Sequence, residues 1–202
     1  MAETLVFGKW NPEEVKIKDI SLVKHISFES KIIPHTFGKN TRKRFGKSNL
    51  NIVERLINKM MRSGQGKRKL SGKYIRGRNG CGKKLQAMRI VEDAFIIIQN
   101  ETKQNPLQVL IKAIENSAPR EDITRIKKGG IAYTISVDVA PIKRIDEALK
   151  NLALAAFSSS FNKKVDASQA LAKELILASS NDSNSFSVKR KIEVERIAVG
   201  SR

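Results

Sequence analysis

The chain has 202 residues, 40% of them hydrophobic, enough to build one packed domain of ordinary size. Its 39 lysines and arginines against 20 aspartates and glutamates give a formal net charge of +19, which points to a polyanionic partner. A single cysteine, Cys81, excludes an intrachain disulfide framework, and no stretch approaches the roughly 18 apolar residues of a membrane span.

The opening residues, Met1 to Trp10, have neither a basic lead nor a long apolar run, so a soluble cytoplasmic protein is expected. The charge is uneven. Residues 1–36 carry 5 basic and 5 acidic side chains, residues 37–92 carry 17 and 2, and residues 93–202 carry 17 and 13. Residues 1–47 show little apolar periodicity and end in "FGKNTRKRFGKS" (37–48), which holds two Phe-Gly-Lys triplets. They read as a basic, partly irregular N-terminal extension, either disordered or an arm that orders on a partner. Residues 48–202 read as one helical domain.

From Asn51 the pattern turns helical. Ile52, Val53, Leu56, Ile57, Met60 and Met61 share one face, with Glu54, Arg55, Asn58 and Lys59 on the other. "SGQGKRKLSGKYIRGRNGCG" (63–82) breaks the helix with six glycines and reads as an inserted basic loop. A second helix is predicted over about 83–99, with Leu85, Met88, Val91, Phe95 and Ile98 buried. A third begins where Asn105 caps, Pro106 takes the first position, and Leu107, Leu110, Ile111 and Ile114 pack. Pro141 opens a fourth through Ile142, Ile145, Leu149, Leu152 and Ala156. A fifth covers roughly 167–178 through Ala170, Leu171, Leu175 and Ala178, and a last covers about 186–198. The fold class is mainly α, a bundle of about six helices.

One stretch departs from this pattern. "TRIKKGGIAYTISV" (124–137) alternates apolar and polar residues around Gly129-Gly130, which predicts a β-hairpin over 120–139 with a two-residue turn. That turn sets Lys128 opposite Ile131, Ile126 opposite Tyr133, Thr124 opposite Ile135 and Asp122 opposite Val137. Tyr133, Ile135, Val137 and Val139 then line one face, and Arg125, Lys127, Thr134 and Ser136 the other. A lone hairpin is marginal in water, so its apolar root is expected to lean on the helices while the charged tip projects.

Motifs with catalytic associations fail on context. "GRNGCGKK" (77–84) matches a phosphate-binding loop until Lys84 stands where a magnesium-ligating Ser or Thr belongs, and no apolar strand precedes it. A glycine-rich, lysine-bearing loop opening a helix is better suited to an RNA phosphate. His25 and His35 lack zinc-ligand spacing and read as structural or surface histidines. The carboxylates are scattered beside cations, as Glu147 is beside Lys143 and Lys150. No enzyme, cofactor or metal is expected.

Six blocks in order resemble the small-subunit ribosomal protein family called protein five in eukaryotes and protein seven in bacteria: "NIVERL" (51–56), "NGCGKKLQAMRIVEDAF" (79–95), "NPLQVLIKAIENSAPREDITRI" (105–126), "VDVAPIKRIDEAL" (137–149), "LAKELILAS" (171–179) and "NSFSVKRKIEVERIA" (184–198). The resemblance spans about three quarters of the chain. It implies a helical bundle with a protruding hairpin that binds rRNA junctions in the head of the small subunit. The implied partners are that rRNA, neighbouring head proteins, and the exit-site tRNA and mRNA near the hairpin. The first 47 residues match the N-terminal extension of the eukaryotic branch.

Carried over position by position, the implied rRNA contacts are Lys83, Lys84, Arg89, Arg120, Lys143, Arg144, Lys189, Arg190, Lys191 and Arg196. Charge alone adds Arg42, Lys43, Arg44 and Lys47 in the extension, and Lys67, Arg68, Lys69, Lys73, Arg76 and Arg78 in the long loop as an additional anchor. Arg125, Lys127, Lys128, Gly129, Gly130 and Tyr133 form the hairpin tip near tRNA and mRNA. Two departures stand out. Ala132 and Tyr133 replace a pair of arginines usual in eukaryotic members, and "LALAAF" (152–157) stands where the family tends to have a Gly-Ala-Arg-Glu run ahead of Ala-Ala-Phe, which removes a charged pair.

The expected function is therefore a structural constituent of the small subunit, present as one copy rather than a homo-oligomer, cytoplasmic, with nucleolar assembly if the source is eukaryotic. Two rivals are a DNA-binding helical protein using the basic helix near Lys189–Arg196, and a nucleotide-hydrolysing or RNA-modifying enzyme using residues 77–84.

Overall fold

A computed structural model describes residues 5–28, 32–38, 43–64, 69–70, 73–74 and 82–202, with the backbone alone at 69–70, 73–74 and 128. Side-chain caps start three of the six main helices. Asn51 accepts from the Val53 N–H at 2.9 Å to open α2 (Ile52–Arg62), after a one-turn α1 (Ile20–Val23) and a 3-10 turn (Gly46–Asn49). α3 spans Lys84–Thr102. Asn105 accepts from the Leu107 N–H at 3.0 Å, with Pro106 in first position, to open α4 (Pro106–Ser117). α5 (Pro141–Ser160), α6 (Ala167–Ser179) and α7 (Phe186–Val199) complete the bundle. Ser185 caps α7, whereas α3, α5 and α6 open without a side-chain cap. The short α1 is the addition to the six helices expected.

α6 sits centrally, packed against α3, α4, α5 and α7, while α2 packs on α3 and α5. Leu107, Leu110, Ile111 and Ile114 of α4, Ile145, Leu149 and Leu152 of α5, and Leu171 and Leu175 of α6 are all fully buried, as their spacing predicts. α3 differs at one place: Leu85, expected inside, is 74% exposed. The first turn of α3 overhangs the body, and burial begins at Ala87 and Met88.

α2 differs in a more consequential way. Glu54 and Arg55, expected on a solvated face, are only 2% and 4% exposed. The N-terminal arm covers them: Thr36 donates to Glu54, and Arg55 donates to the carbonyl of His25 at 2.9 Å.

That arm is irregular in secondary structure but packed. Val6, Trp10, Leu22 and Ile26 are buried in the same core as α2 to α7. The Trp10 indole N–H donates to Gln99 Oε1 at 2.8 Å, and its ring meets Phe95 edge-on at 5.5 Å. Further along, the backbone N–H of Lys16 donates to Gln108 (2.7 Å), and those of Lys18 and Asp19 donate to Glu115 (2.7 and 3.0 Å), tying the arm along α4. A bridge from Ser27 to Asn51 then delivers the chain to α2.

Within the inserted loop, β1 (Lys69–Leu70) pairs with β2 (Lys73–Tyr74), a short ladder inside a segment predicted to lack regular structure. The ribbon itself consists of β3 (Glu121–Lys128) and β4 (Ile131–Asp138), antiparallel, with Lys128 opposite Ile131 and Asp122 opposite Val137 as derived. Gly129 and Gly130 take φ values of 58° and 82°, the doubly left-handed turn that glycine permits. Exposure rises from 5% at Val139, just past the strand, through 38% at Val137 to 60% at Ile131, so the root is only partly covered, where it packs against α7, and the tip stands clear.

Packing of the arm into the core makes a measurable prediction. Trp10→Ala is expected to destabilise the protein by about 3–5 kcal/mol in urea unfolding, as for a buried aromatic, while Phe37→Ala on the exposed part of the arm should stay within about 0.5 kcal/mol. A Trp10 effect as small as that of Phe37 would mean the arm lies outside the cooperative unit.

Candidate nucleic-acid interface

The cations divide into those held internally and those turned outward. Three converge on one carboxylate. Lys47 from the arm (3.4 Å), Arg55 (3.4 Å) and Lys59 (3.5 Å) from α2 surround Asp146 of α5. Burial alone would raise the Asp146 carboxyl, but Lys59, Arg55 and Lys47 together hold it below its usual value. Lys84, implied as an rRNA contact, donates instead to buried Glu54 at 2.7 Å, so its ammonium joins α3 to α2. Arg144 is also partly internal: Nε donates to the carbonyl of Val139 (2.9 Å) and a terminal nitrogen to Ser21 (3.2 Å), linking the ribbon root, α5 and α1.

The exposed cations, including Lys47, which stays 59% exposed despite its contact with Asp146, form a strip along two cavities that share Lys143. Lys43 and Lys47 of the arm and Lys143 of α5 line one cavity. Lys143 also lines a cleft on its other side with Lys150, Arg190 and Lys191, between α5, α7 and the ribbon root. Lys143 pairs with Asp122 at 2.7 Å and Lys150 with Glu147 at 2.7 Å, both near the surface where such pairs contribute little. Lys189, Arg190 and Arg196 are exposed on α7, Arg190 pairing with Glu193 (2.9 Å). Lys83, Arg89 and Arg120 are exposed, as are Arg44 in the arm and Arg125, Lys127, Gly129, Gly130 and half-exposed Tyr133 on the ribbon.

The orientation of α7 comes from a buried acid. Glu174 of α6 accepts from Ser185 Oγ (2.7 Å), Ser187 Oγ (2.8 Å) and the Ser187 N–H (3.0 Å), and Ser185 caps the helix. These bonds satisfy first-turn donors and set the direction in which the α7 cations point.

Lys69 and Lys73 lie on β1 and β2. Arg42, Lys67, Arg68, Arg76, Arg78 and Cys81, with most of the 77–84 motif, lie outside the described residues; Lys128 is placed by its backbone. His25 shares a hydrogen bond with Ser48 Oγ (3.1 Å), and His35 accepts from the Phe37 N–H (2.9 Å). Among the described residues no group of three or more His, Cys, Asp or Glu could hold a metal ion, and no helix is long and apolar enough to cross a membrane. The sequence reading missed Lys150 as part of the cleft, having treated it only as the partner of Glu147; its place on the α5 face toward α7 follows from packing, not from spacing.

Comparison with known proteins is specific: the chain belongs to the family described as ribosomal protein S7p/S5e, whose model matches residues 22–202. It is 48% identical over 201 residues to small ribosomal subunit protein uS7 of Methanococcus maripaludis, covering 99% of this chain and all of that protein. It is 46% identical over 200 residues to uS7 of Picrophilus torridus, with the same coverage, and 46% over 193 residues to uS7 of Methanosphaera stadtmanae, covering 96% of each. This family is structural, not enzymatic. The three relatives are archaeal and lend no support to nucleolar assembly, and the first two align over nearly the whole arm as well as the bundle.

The Asp146 cluster predicts an acid dependence. A carboxylate depressed in the folded state stabilises above its ordinary value of 3.8, and that contribution is lost as pH falls through the lower folded value. Asp146→Asn should therefore destabilise at pH 7, by less than the roughly 3–5 kcal/mol of a fully buried pair. The gap to wild type should narrow in denaturant melts as pH falls progressively below 3.8. A gap that persists at low pH would mean the side chain acts by packing alone.

Proposed function

We propose that the chain acts in the small ribosomal subunit by binding the folded rRNA of the head, beside other head proteins, as a single copy. The observation that carries this reading is the strip from Lys43 and Lys47 through Lys143 and Lys150 to Arg190 and Lys191, assembled from three separated parts of the chain. Cations on rigid helices reach phosphate oxygens and position the protein, while specificity comes from the shape of the RNA junction. Lys83, Arg89, Arg120, Lys189 and Arg196 extend the footprint. Lys84 and Arg144 serve it indirectly, by holding the elements that carry the others. Arg42, Arg44, Lys67, Arg68, Lys69, Lys73, Arg76 and Arg78 are proposed on charge.

The ribbon is proposed to face the exit-site tRNA and mRNA. Its support is the exposed tip, where Arg125, Lys127 and Tyr133 stand clear of the bundle on a turn that only glycines make comfortably. Lys128 lies at the same tip.

Binding to a head-domain rRNA transcript should weaken by roughly three decades or more between about 50 and 200 mM salt if about six phosphates are engaged. Replacing Arg190 and Lys191 by Gln should flatten that salt dependence by roughly 0.7–0.9 per lost contact. A salt-insensitive complex, or equal affinity for duplex DNA, would overturn the reading. Deleting residues 127–132 should leave helical circular dichroism intact and alter tRNA retention or start-site fidelity in a reconstituted subunit; unaltered translation would remove the exit-path role.

A further inference from the structure

We propose that the cavity beside Phe45 receives an unpaired nucleobase of the bound RNA, with the flanking phosphates held by the lysines at its rim. This deepens the rRNA-binding reading and rests on it. Phe45 is 62% exposed, and its backbone lies in the left-handed region at φ 60°, where a bulky residue is an outlier. The ring is no part of the core. The Arg44 guanidinium lies 5.0 Å from its centroid, so the ring already carries a cationic neighbour.

Next to it opens a cavity of about 570 Å³ between the 3-10 turn and the start of α5. That volume falls within the roughly 300–1,000 Å³ usual for ligand sites. Phe45, Pro141 and Ile142 supply apolar walls, and Lys43, Lys47 and Lys143 supply the cations. Its acid, Asp146, is already shared by Arg55, Lys59 and Lys47. Lys143 also pairs with Asp122 (2.7 Å) and Lys47 with Asp146 (3.4 Å), both lysines staying more than half exposed, so a mostly apolar slot with exposed lysines at its mouth matches a planar ring on an anionic backbone. It does not match an apolar protein side chain, for which the lysines would be desolvated without return. Unpaired RNA bases are held in this manner, stacked on aromatic rings with the backbone on cations.

The test uses the full chain and a head-domain rRNA transcript. Phe45→Leu keeps the backbone and apolarity but removes the π face; affinity should fall about 5- to 150-fold with the salt dependence unchanged. Phe45→Trp should restore binding. Lys43→Gln should instead lower the salt slope by about 1. Ultraviolet crosslinking with peptide mapping should place a nucleotide on the Phe45 peptide. A Phe45→Leu variant that binds as tightly as wild type, or a Phe45 crosslink to a neighbouring protein in assembled subunits, would overturn the proposal while leaving rRNA binding intact. Failure of the wild-type chain to bind the transcript would overturn both.

Discussion

Two adjacent charges of opposite sign are buried side by side on α2, and the arrangement of the rest follows from how they are partnered. A buried charge stripped of its partner costs about 3–5 kcal/mol, whereas a surface pair contributes about 0–1 kcal/mol. Glu54 therefore requires donors, and its Oε1 receives them from Thr36 of the arm and Lys84 at the start of α3, while Oε2, like Arg55 Nε, is buried without a hydrogen-bond partner among the described residues. Arg55 requires acceptors and receives the His25 carbonyl and the Asp146 carboxylate. Arm, α3 and α5 are thus located relative to α2 by polar requirements that tolerate few alternatives. Apolar contacts on the opposite face of α2 provide adhesion without such direction.

The same logic separates anchoring charge from displayed charge. Inward cations such as Arg55, Lys59 and Lys84 are partnered by acids and rigidify the scaffold. The outward ones stand at element ends held from within: Glu174 aims α7, Arg144 ties the ribbon root to α5, and the 3-10 turn carries Lys47. Preorganisation of this kind reduces the ordering that binding must otherwise supply. Most of the +19 net charge lies in residues 37–92, with 17 basic side chains against 2 acidic ones, whereas the three cations of the ribbon are matched by Glu121, Asp122 and Asp138.

Much of the fold was legible in the chain because periodicity and capping agree locally. Asn51 and Asn105 announce their helices, and the glycine pair dictates the ribbon's register. What was not legible depended on distant partners. Nothing in the spacing of α2 distinguishes a solvated Glu54 from a buried one until the arm is known to cover it. The arm hid its core role because Val6, Trp10, Leu22 and Ile26 follow no helical or strand period; each is buried by irregular chain wrapping round the bundle. Leu85 misled in the opposite sense, since its spacing is right but the bundle stops short of it. At the site, the exposed cations of α7 and the ribbon were evident from charge, while the Lys143 junction and the Phe45 cavity arise only when arm and α5 meet. A third Phe-Gly-Lys triplet, at residues 7–9, shares the left-handed phenylalanine yet turns its ring inward against Trp10, so the motif specifies a turn and the surroundings decide its use.

The unbroken one-to-one pairing of β3 with β4 makes the ribbon's reach a matter of parity. One extra residue in either strand would exchange the cationic side for the apolar side from that rung outward. Matched two-residue additions preserve sidedness and extend the tip by about 7 Å each. Length in this appendage is accordingly quantised, and a variant lengthened by an odd step on one strand must absorb it as a bulge or present the opposite chemistry to whatever lies beyond the tip.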